Sequence, residues 1–463
     1  MARRNRLRRS PRGRKGGAGR TILFILLAVV IIVIGAGAFI LFETEKPYVA
    51  LEKETRYLGS NVTLPLLASD RRSGISSVTI TLVQDGRDNV IYSRSYQRKA
   101  WLSGAGPQEV RQKVLFDAKK AGLKNGKAEL VLSVRDFSLN GFFRGNETVT
   151  RIPVVIDTTP PRVSIEHAQR YIRPGGSGIV IYRLSEPARR HGVQIDETFF
   201  AGYPLRDLKN VFIAYIALPW NAKPPEQTRV IATDEAGNEG KAIFAMTFRK
   251  VPEKKDRINV SDSFLKRKIP EFEEYYPEMQ GSLLEKYLFA NNEIRRRNAE
   301  KIRQICSSPL PEQLWQGRFL RMPGAGRAGF ADQRTYYYQG KPIDHQTHLG
   351  MDIASTAHVP IRAANRGKVI FADYLGIYGN TVILDHGQGL FSLYAHLNRI
   401  DTSLDTMVDK DQLIGHSGAT GMAGGDHLHF SILVHGIFVT PMEWWDQHWI
   451  DVNITDVINS IKP

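Results

Sequence analysis

The sequence predicts a mainly β chain carried behind an N-terminal transmembrane helix. Three features point there: an unbroken apolar run at residues 21–42, a succession of short period-two segments between residues 47 and 250, and the lack of any long helical pattern among them. At 463 residues the chain exceeds one ordinary core, so several folded units are expected. Hydrophobic residues at 42% and charged residues at 24% are those of a folded protein rather than a disordered one.

The formal charge of +16 is uneven. Residues 1–20 hold eight Arg and one Lys with no acid, which leaves +7 for the rest of the chain. As a helix, the 22 apolar residues that follow reach roughly 33 Å, enough to cross a bilayer core. The basic flank predicts that residues 1–20 stay in the cytoplasm, while the chain from residue 43 onward is periplasmic or extracellular, making a single-pass inner- or plasma-membrane protein. A cleaved signal peptide is the competing reading, because Ala36-Gly37-Ala38 resembles a cleavage site; the run nevertheless continues through Phe39-Ile40-Leu41-Phe42. Either way the body is exported, which excludes nucleic acid as a partner. The one cysteine, Cys306, permits no intrachain disulfide and reads as a packed apolar thiol.

Between residues 47 and 250, Val78-Thr79-Ile80-Thr81-Leu82 alternates with period two, and Val131-Leu132-Ser133-Val134 does so less cleanly. Further strands are expected at 148–156, 178–184, 211–218 and 242–248. An internal echo divides the region. The strand ending at Asp136 leads to Asn140, and the strand ending at Asp234 leads to Asn238, an offset of 98 residues. That is about the length of an immunoglobulin-like domain, and the second turn resembles the Asp-x-Ala-Gly-Asn turn of bacterial immunoglobulin-like modules. Two immunoglobulin-like β-sandwich modules are therefore expected, at 47–157 and 158–250, with Thr158-Thr159-Pro160-Pro161 as a stiff boundary; a single larger sandwich is the alternative.

Residues 251–308 read as a helical connector. Ser282-Leu283-Leu284-Glu285 is a capping box, and Leu284, Leu288, Asn291, Ile294 and Ile302 share one helical face. A shorter helix is expected from Ser261, broken by Pro270 and Pro277. Arg295-Arg296-Arg297 reads as a solvated face.

The last unit, 309–463, carries the chemistry. Ten of the twelve histidines lie between His345 and His448, and three short patterns appear in order: His348-Leu349-Gly350-Met351-Asp352, Tyr394-Ala395-His396-Leu397 and His427-Leu428-His429-Phe430. Leu428, Phe430 and Ile432 alternate with His427, His429 and Ser431, so both imidazoles emerge from the polar face of one strand. Imidazole and carboxylate are good zinc ligands, and a catalytic zinc keeps three protein ligands and an open position. His348 and Asp352 can supply two ligands from a loop entering a strand and the His-x-His strand a third, which would leave at least one imidazole for proton transfer or oxyanion support. His-Glu-x-x-His and Gly-x-Ser-x-Gly motifs are absent, and Gly418 to Gly425 lacks the Lys-Ser/Thr pair of a phosphate loop. His386 and His416 are expected in structural hydrogen bonds, His345 and His358 at the surface, and Tyr336, Tyr337 and Tyr338 in strand packing or lining a groove.

These patterns, with Gly367-Lys368-Val369-Ile370, Tyr378-Gly379-Asn380-Thr381-Val382 and Gly418-Ala419-Thr420-Gly421, resemble the lysostaphin/LytM-type zinc endopeptidase family over roughly residues 309–445. Asp409-Lys410-Asp411 departs from the glycine turn usual there, at a surface connection. The resemblance implies a small C-terminal antiparallel β domain with a narrow groove that hydrolyses peptidoglycan peptides. It implies Zn2+ on His348, Asp352 and His429, and His396 and His427 as the unligated catalytic pair. Family members that lack the ligands activate other wall hydrolases, so a non-catalytic platform for a separate cell-wall amidase is the alternative. Divisome or wall-synthesis proteins are candidate partners.

Overall fold

The structure is a computed structural model that describes residues 17–100 and 104–462. The basic segment 1–20 lies, apart from its last four residues, outside the described residues. The chain is mainly β behind one N-terminal apolar helix, Gly17–Leu41, within which Gly19–Phe39 is long and apolar enough to cross a membrane. The helix starts a turn before the apolar run, at Gly17. Two compact units follow from the packing. One comprises the residues up to Thr159 with Glu235–Asn238, the other Pro160–Asp234 with Glu239–Pro463.

In the first unit, Tyr48–Leu51, Val62–Ser69 and Glu109–Phe116 make a three-stranded sheet. A five-stranded sheet runs in the order Tyr57–Leu58, Glu147–Ile156, Gly126–Asp136, Ile75–Gln84, Arg87–Ser95. The period-two reading appears directly in the packing. Val78, Ile80, Leu82, Leu130, Leu132 and Val134 are fully buried against Leu64, Leu66 and Ala68 of the smaller sheet.

In the second unit, residues 163–243 form two four-stranded sheets, with Ser177–Leu184 and Val211–Ala217 central in one and Arg190–Ile195 and Thr228–Thr233 central in the other. The strand expected at 242–248 is broken. Glu239–Ile243 ends where Phe244 bonds Thr228, and Thr247–Phe248 pairs instead with Tyr171–Ile172. The core of these sheets continues into the C-terminal region through Trp315, Phe319 and Trp444. The buried Glu443 carboxylate accepts bonds from Arg173 Nε at 3.1 Å and from the Ser177 amide at 3.0 Å.

The expected helices of residues 251–308 are present, but they are built into this same unit. Lys255–Val260, a strand that sequence analysis missed, pairs in parallel with Gln333–Tyr338. Ser261 caps Asp262–Tyr275, and Pro270 does not break that helix as expected. Leu265, Ile269 and Phe272 are buried on both sides of the proline and outweigh its lost hydrogen bond. The capping box at Ser282 and Glu285 forms, and Asn291, Ile294 and Ile302 are buried. Cys306 is a buried thiol.

The C-terminal sheet is antiparallel, in the order Ala325–Ala328, Met351–Ala354, Leu428–Val434, Leu390–Leu397, Asn380–Asp385, Gly367–Tyr374, Met407–Val408, and Ile437–Val439 also pairs with Leu428–Val434. Leu428–Val434 and Leu390–Leu397 are buried on both faces. Phe430 and Ile432 face the core shared with the preceding sheets. Leu433, Phe391 and Leu393 meet Ile294, Ile302 and Phe272 from the helical segment. The histidine-bearing face, expected as the polar face of its strand, is thus covered by residues 255–305.

Candidate functional site

Pairing across the sheet assembles the site. Met351–Ala354 runs antiparallel to Leu428–Val434 with Asp352 directly opposite His429, so both side chains leave the same face. His348 lies in the connection from Lys341–Thr347 and is tied down by backbone bonds in both directions between His348 and the Ala331-Asp332 pair. Gly350 lets this connection pass over the site. A Cβ there would lie 2.4 Å from His429 Cε1 and Nε2. Gly350→Ala is therefore expected to displace the His429 ring and to lower domain stability by about 1–3 kcal/mol, read from chemical denaturation of the variant.

His348 Nε2, Asp352 Oδ1 and His429 Nδ1 stand 2.9, 3.0 and 3.0 Å from one another. The tautomers follow from the opposite ring atoms. His348 Nδ1–H donates to the Gly329 carbonyl at 2.8 Å. The Ser431 hydroxyl donates to the Leu349 carbonyl at 2.9 Å, so His429 Nε2–H donates to Ser431 Oγ at 3.1 Å. The two imidazole nitrogens that face each other are both proton-free, beside a carboxylate oxygen. Three lone-pair atoms at that separation repel unless a cation joins them, so the set fits a divalent metal ion. The second carboxylate oxygen, Asp352 Oδ2, accepts from Arg334 Nη2 at 3.0 Å.

Two further imidazoles flank this cluster. His396 sits at a bulge, where Asn380 pairs with Leu397 and Val382 with Tyr394, and its φ is +62°. Strand alternation alone would send it to the face of Tyr394. The bulge instead brings its ring within 5.7 Å of His429 and 4.9 Å of His427. His396 Nδ1–H donates to the Thr420 carbonyl and His427 Nδ1–H to the Gly425 carbonyl, each at 2.8 Å, so both keep Nε2 as the proton-accepting atom. All five expected site residues line one cavity of about 280 Å³. Its walls include Val260, Phe264, Tyr287, Tyr336 and Tyr378, with Arg295 and Arg334 as cations.

Burial drives the electrostatics. It pushes His429 down to about 4 and His396 well below the ordinary histidine value, so both are neutral at pH 7. Burial lowers His427 as well, but the Asp352 carboxylate outweighs it and raises that imidazole overall. Asp352 is held well below the usual carboxylate range, although burial alone would raise it.

His386 stays outside the cavity as a structural residue, between the Arg366 carbonyl and Ser392 Oγ at 2.7 Å each. His416 bonds Asp401 at 2.7 Å, and His345 and His358 are exposed. Tyr336 is buried on its strand and also lines the cavity. Burial pushes His386 from its ordinary 6.5 to about 4. A base depressed in the folded state leaves stability intact above pH 6.5, loses it as pH falls toward 4, and adds no further loss below that. Its share of the loss is about 3 kcal/mol. Denaturation of wild type and His386→Gln across pH 4–7 should show a shallower decline in the variant.

Sequence analysis missed Arg334, Tyr378 and the cavity wall of residues 258–264. Arg334 carries no motif; it reaches Asp352 only because Gln333–Tyr338 and Lys341–Thr347 fold back beside the site.

The profile of peptidase family M23 matches residues 346–441. The DD-carboxypeptidase/endopeptidase Mpg of Neisseria meningitidis is 36% identical over 107 residues, 23% of this chain and 25% of that protein. The murein hydrolase activator EnvC of Escherichia coli is 35% identical over 95 residues, 20% of this chain and 23% of that protein. The catalytic domain of lysostaphin from Staphylococcus simulans is 26% identical, covering 26% of this chain and 92% of that structure with a TM-score of 0.23. The chain spans about a quarter of the length of these two curated relatives. The C-terminal part of this chain is a peptidase family M23 domain, of the lysostaphin/LytM kind.

Proposed function

We propose that the chain is a membrane-anchored, zinc-dependent endopeptidase that hydrolyses peptide cross-links in bacterial peptidoglycan. His348, Asp352 and His429 hold Zn2+, and His396 and His427 are the catalytic pair. The observation that carries this reading is the meeting of two proton-free imidazole nitrogens and a carboxylate oxygen within 3.0 Å of one another. Neighbouring ligands in a tetrahedral zinc site with bonds of about 2.0 Å stand roughly 3.3 Å apart, close to these separations. When bound, zinc polarises the scissile carbonyl and lowers the pKa of its water toward ~7.

The chain supplies the remaining functions. Ser431 and the Gly329 carbonyl fix the ligand tautomers, and Arg334 holds the second oxygen of Asp352. The Nε2 atom of His396 or His427 takes the proton from the attacking water and returns it to the leaving amine, and the other imidazole, when protonated, supports the oxyanion. Tyr287, Tyr336 and Tyr378 shield the cavity from water, and the Arg295 and Arg334 guanidiniums suit a carboxylate-bearing wall peptide. The N-terminal helix keeps residues 1–20 in the cytoplasm and holds the domain on the exported side, within reach of division or wall-synthesis partners.

Full-length protein in detergent should release peptide fragments from purified cross-linked peptidoglycan, with the cleaved bond identified by mass analysis. Digestion that persists after chelation and in His429→Ala removes zinc from the mechanism. The similarity to EnvC favours a second reading, in which the domain is a platform that activates a separate amidase. Activation of a separate amidase retained in His396→Ala, with no digestion by the protein alone, would support that alternative.

A further inference from the structure

Outside the peptidase cavity, the first unit buries three carboxylates together. Glu43 is the second residue after the N-terminal helix ends at Leu41. Asp70 follows the strand Val62–Ser69, and Asp136 closes the strand Gly126–Asp136. Their exposures are only 2%, 4% and 2%. One oxygen from each lies within 4.8 Å of an oxygen from both others. Among the described residues, no Lys or Arg nitrogen lies within 4.0 Å of any of the three carboxylates.

Donors reach only part of this oxygen set. Glu43 Oε1 accepts from the Ser73 amide and hydroxyl, Asp70 Oδ1 from the Arg72 and Gly74 amides, and Asp136 Oδ1 from the Ser138 and Asn146 amides. Glu43 Oε2 is fully buried with no hydrogen-bond partner. An anionic oxygen without water or a donor is among the least tolerable groups in a protein interior, and it calls for a cation. Beside it, Asn146 Nδ2 lies 2.8–3.1 Å from four acceptors: the Glu43 and Glu45 carbonyls, Asp136 Oδ2 and Ser138 Oγ. A side-chain amide has two hydrogens to give, so the region is rich in oxygen and short of donors.

We propose that Glu43, Asp70 and Asp136 form a Ca2+ site that ties the chain leaving the N-terminal helix to the strand ends of the first unit. The donor set contains oxygen only, which selects a hard cation over zinc. Three carboxylates drawn from separate segments, each able to bind through one or both oxygens, suit the loose geometry of calcium better than the octahedron of magnesium. Burial and mutual repulsion raise the proton affinity of Glu43 and Asp70, as expected of carboxylates gathered without their counter-ion. The same segments already meet without the ion, since the Leu139 amide donates to the Leu41 carbonyl at 2.6 Å. Calcium therefore stiffens the junction below the helix. The site stands on its own geometry; its role as an anchor clamp rests on the proposal that the helix remains in the membrane.

Equilibrium dialysis of full-length protein in detergent micelles against radioactive Ca2+, with zinc present throughout, tests this. Wild type and His429→Ala are both expected to bind one Ca2+ saturably below millimolar concentration. Glu43→Gln and Asp136→Asn are expected to bind at least tenfold more weakly. Glu43→Gln changes one atom at the edge of the unit, and near-UV circular dichroism checks that its fold is kept. No saturable binding in wild type, or less than a tenfold loss in folded Glu43→Gln, overturns the site. Because His429→Ala disables only the proposed zinc cluster, failure of the peptidase reading would leave this calcium measurement unaffected.

Discussion

His429→Ala should reduce peptidoglycan digestion roughly a thousandfold or more, together with loss of tightly bound metal. The expectation follows from the ligand triangle. Removing one corner leaves His348 Nε2 and Asp352 Oδ1 facing each other at 2.9 Å, one ligand short of the three that hold a catalytic zinc. The fold should survive. The strand Leu428–Val434 remains anchored by Phe430, Ile432, Leu433 and Val434, all at 2% exposure or less. Metal content measured beside activity separates this outcome from unfolding. A variant that loses metal yet digests the wall normally would sink the zinc mechanism.

His396→Ala should have nearly as large an effect by a different route. Proton transfer by a positioned side chain contributes about 10²–10⁴-fold, and activity should fall within that range while metal content stays at the wild-type level. His396 touches the cluster only through ring contacts with His427 and His429, so the three ligand atoms keep their positions. The neutral imidazole that burial enforces is the form able to accept a proton at pH 7. Losing its bond to the Thr420 carbonyl should cost about 1–3 kcal/mol of stability, measurable by denaturation and small beside the catalytic loss. Unchanged digestion would shift the proton-transfer role to His427 alone.

Much of this protein is readable along the chain because the informative patterns are local. The alternation in Ile75–Gln84, the caps at Ser261 and Ser282 and the three histidine patterns each depend on residues within about ten positions of one another, and the apolar helix on one unbroken run. Strand periodicity also places His429 and Ser431 on one face, and the short loop from His348 to Asp352 keeps those two together.

What periodicity could not supply is whatever depends on pairing between distant segments. The opposition of Asp352 and His429, the bulge that turns His396 against its strand's alternation, and the arrival of Arg334 are products of sheet register. Covering the histidine face with residues 255–305 is a packing outcome. Helix periodicity predicts that Ile294 and Ile302 are buried, but not that Leu433 and Phe391 are what they bury against. The gathering of Glu43, Asp70 and Asp136 belongs to the same class, since each is an ordinary acid in its own segment. Local sequence sets which side chains are available and which way each element faces. Register and packing decide which of them come within 3 Å, because those distances are set by hydrogen-bond pairing and core closure over spans of tens to hundreds of residues.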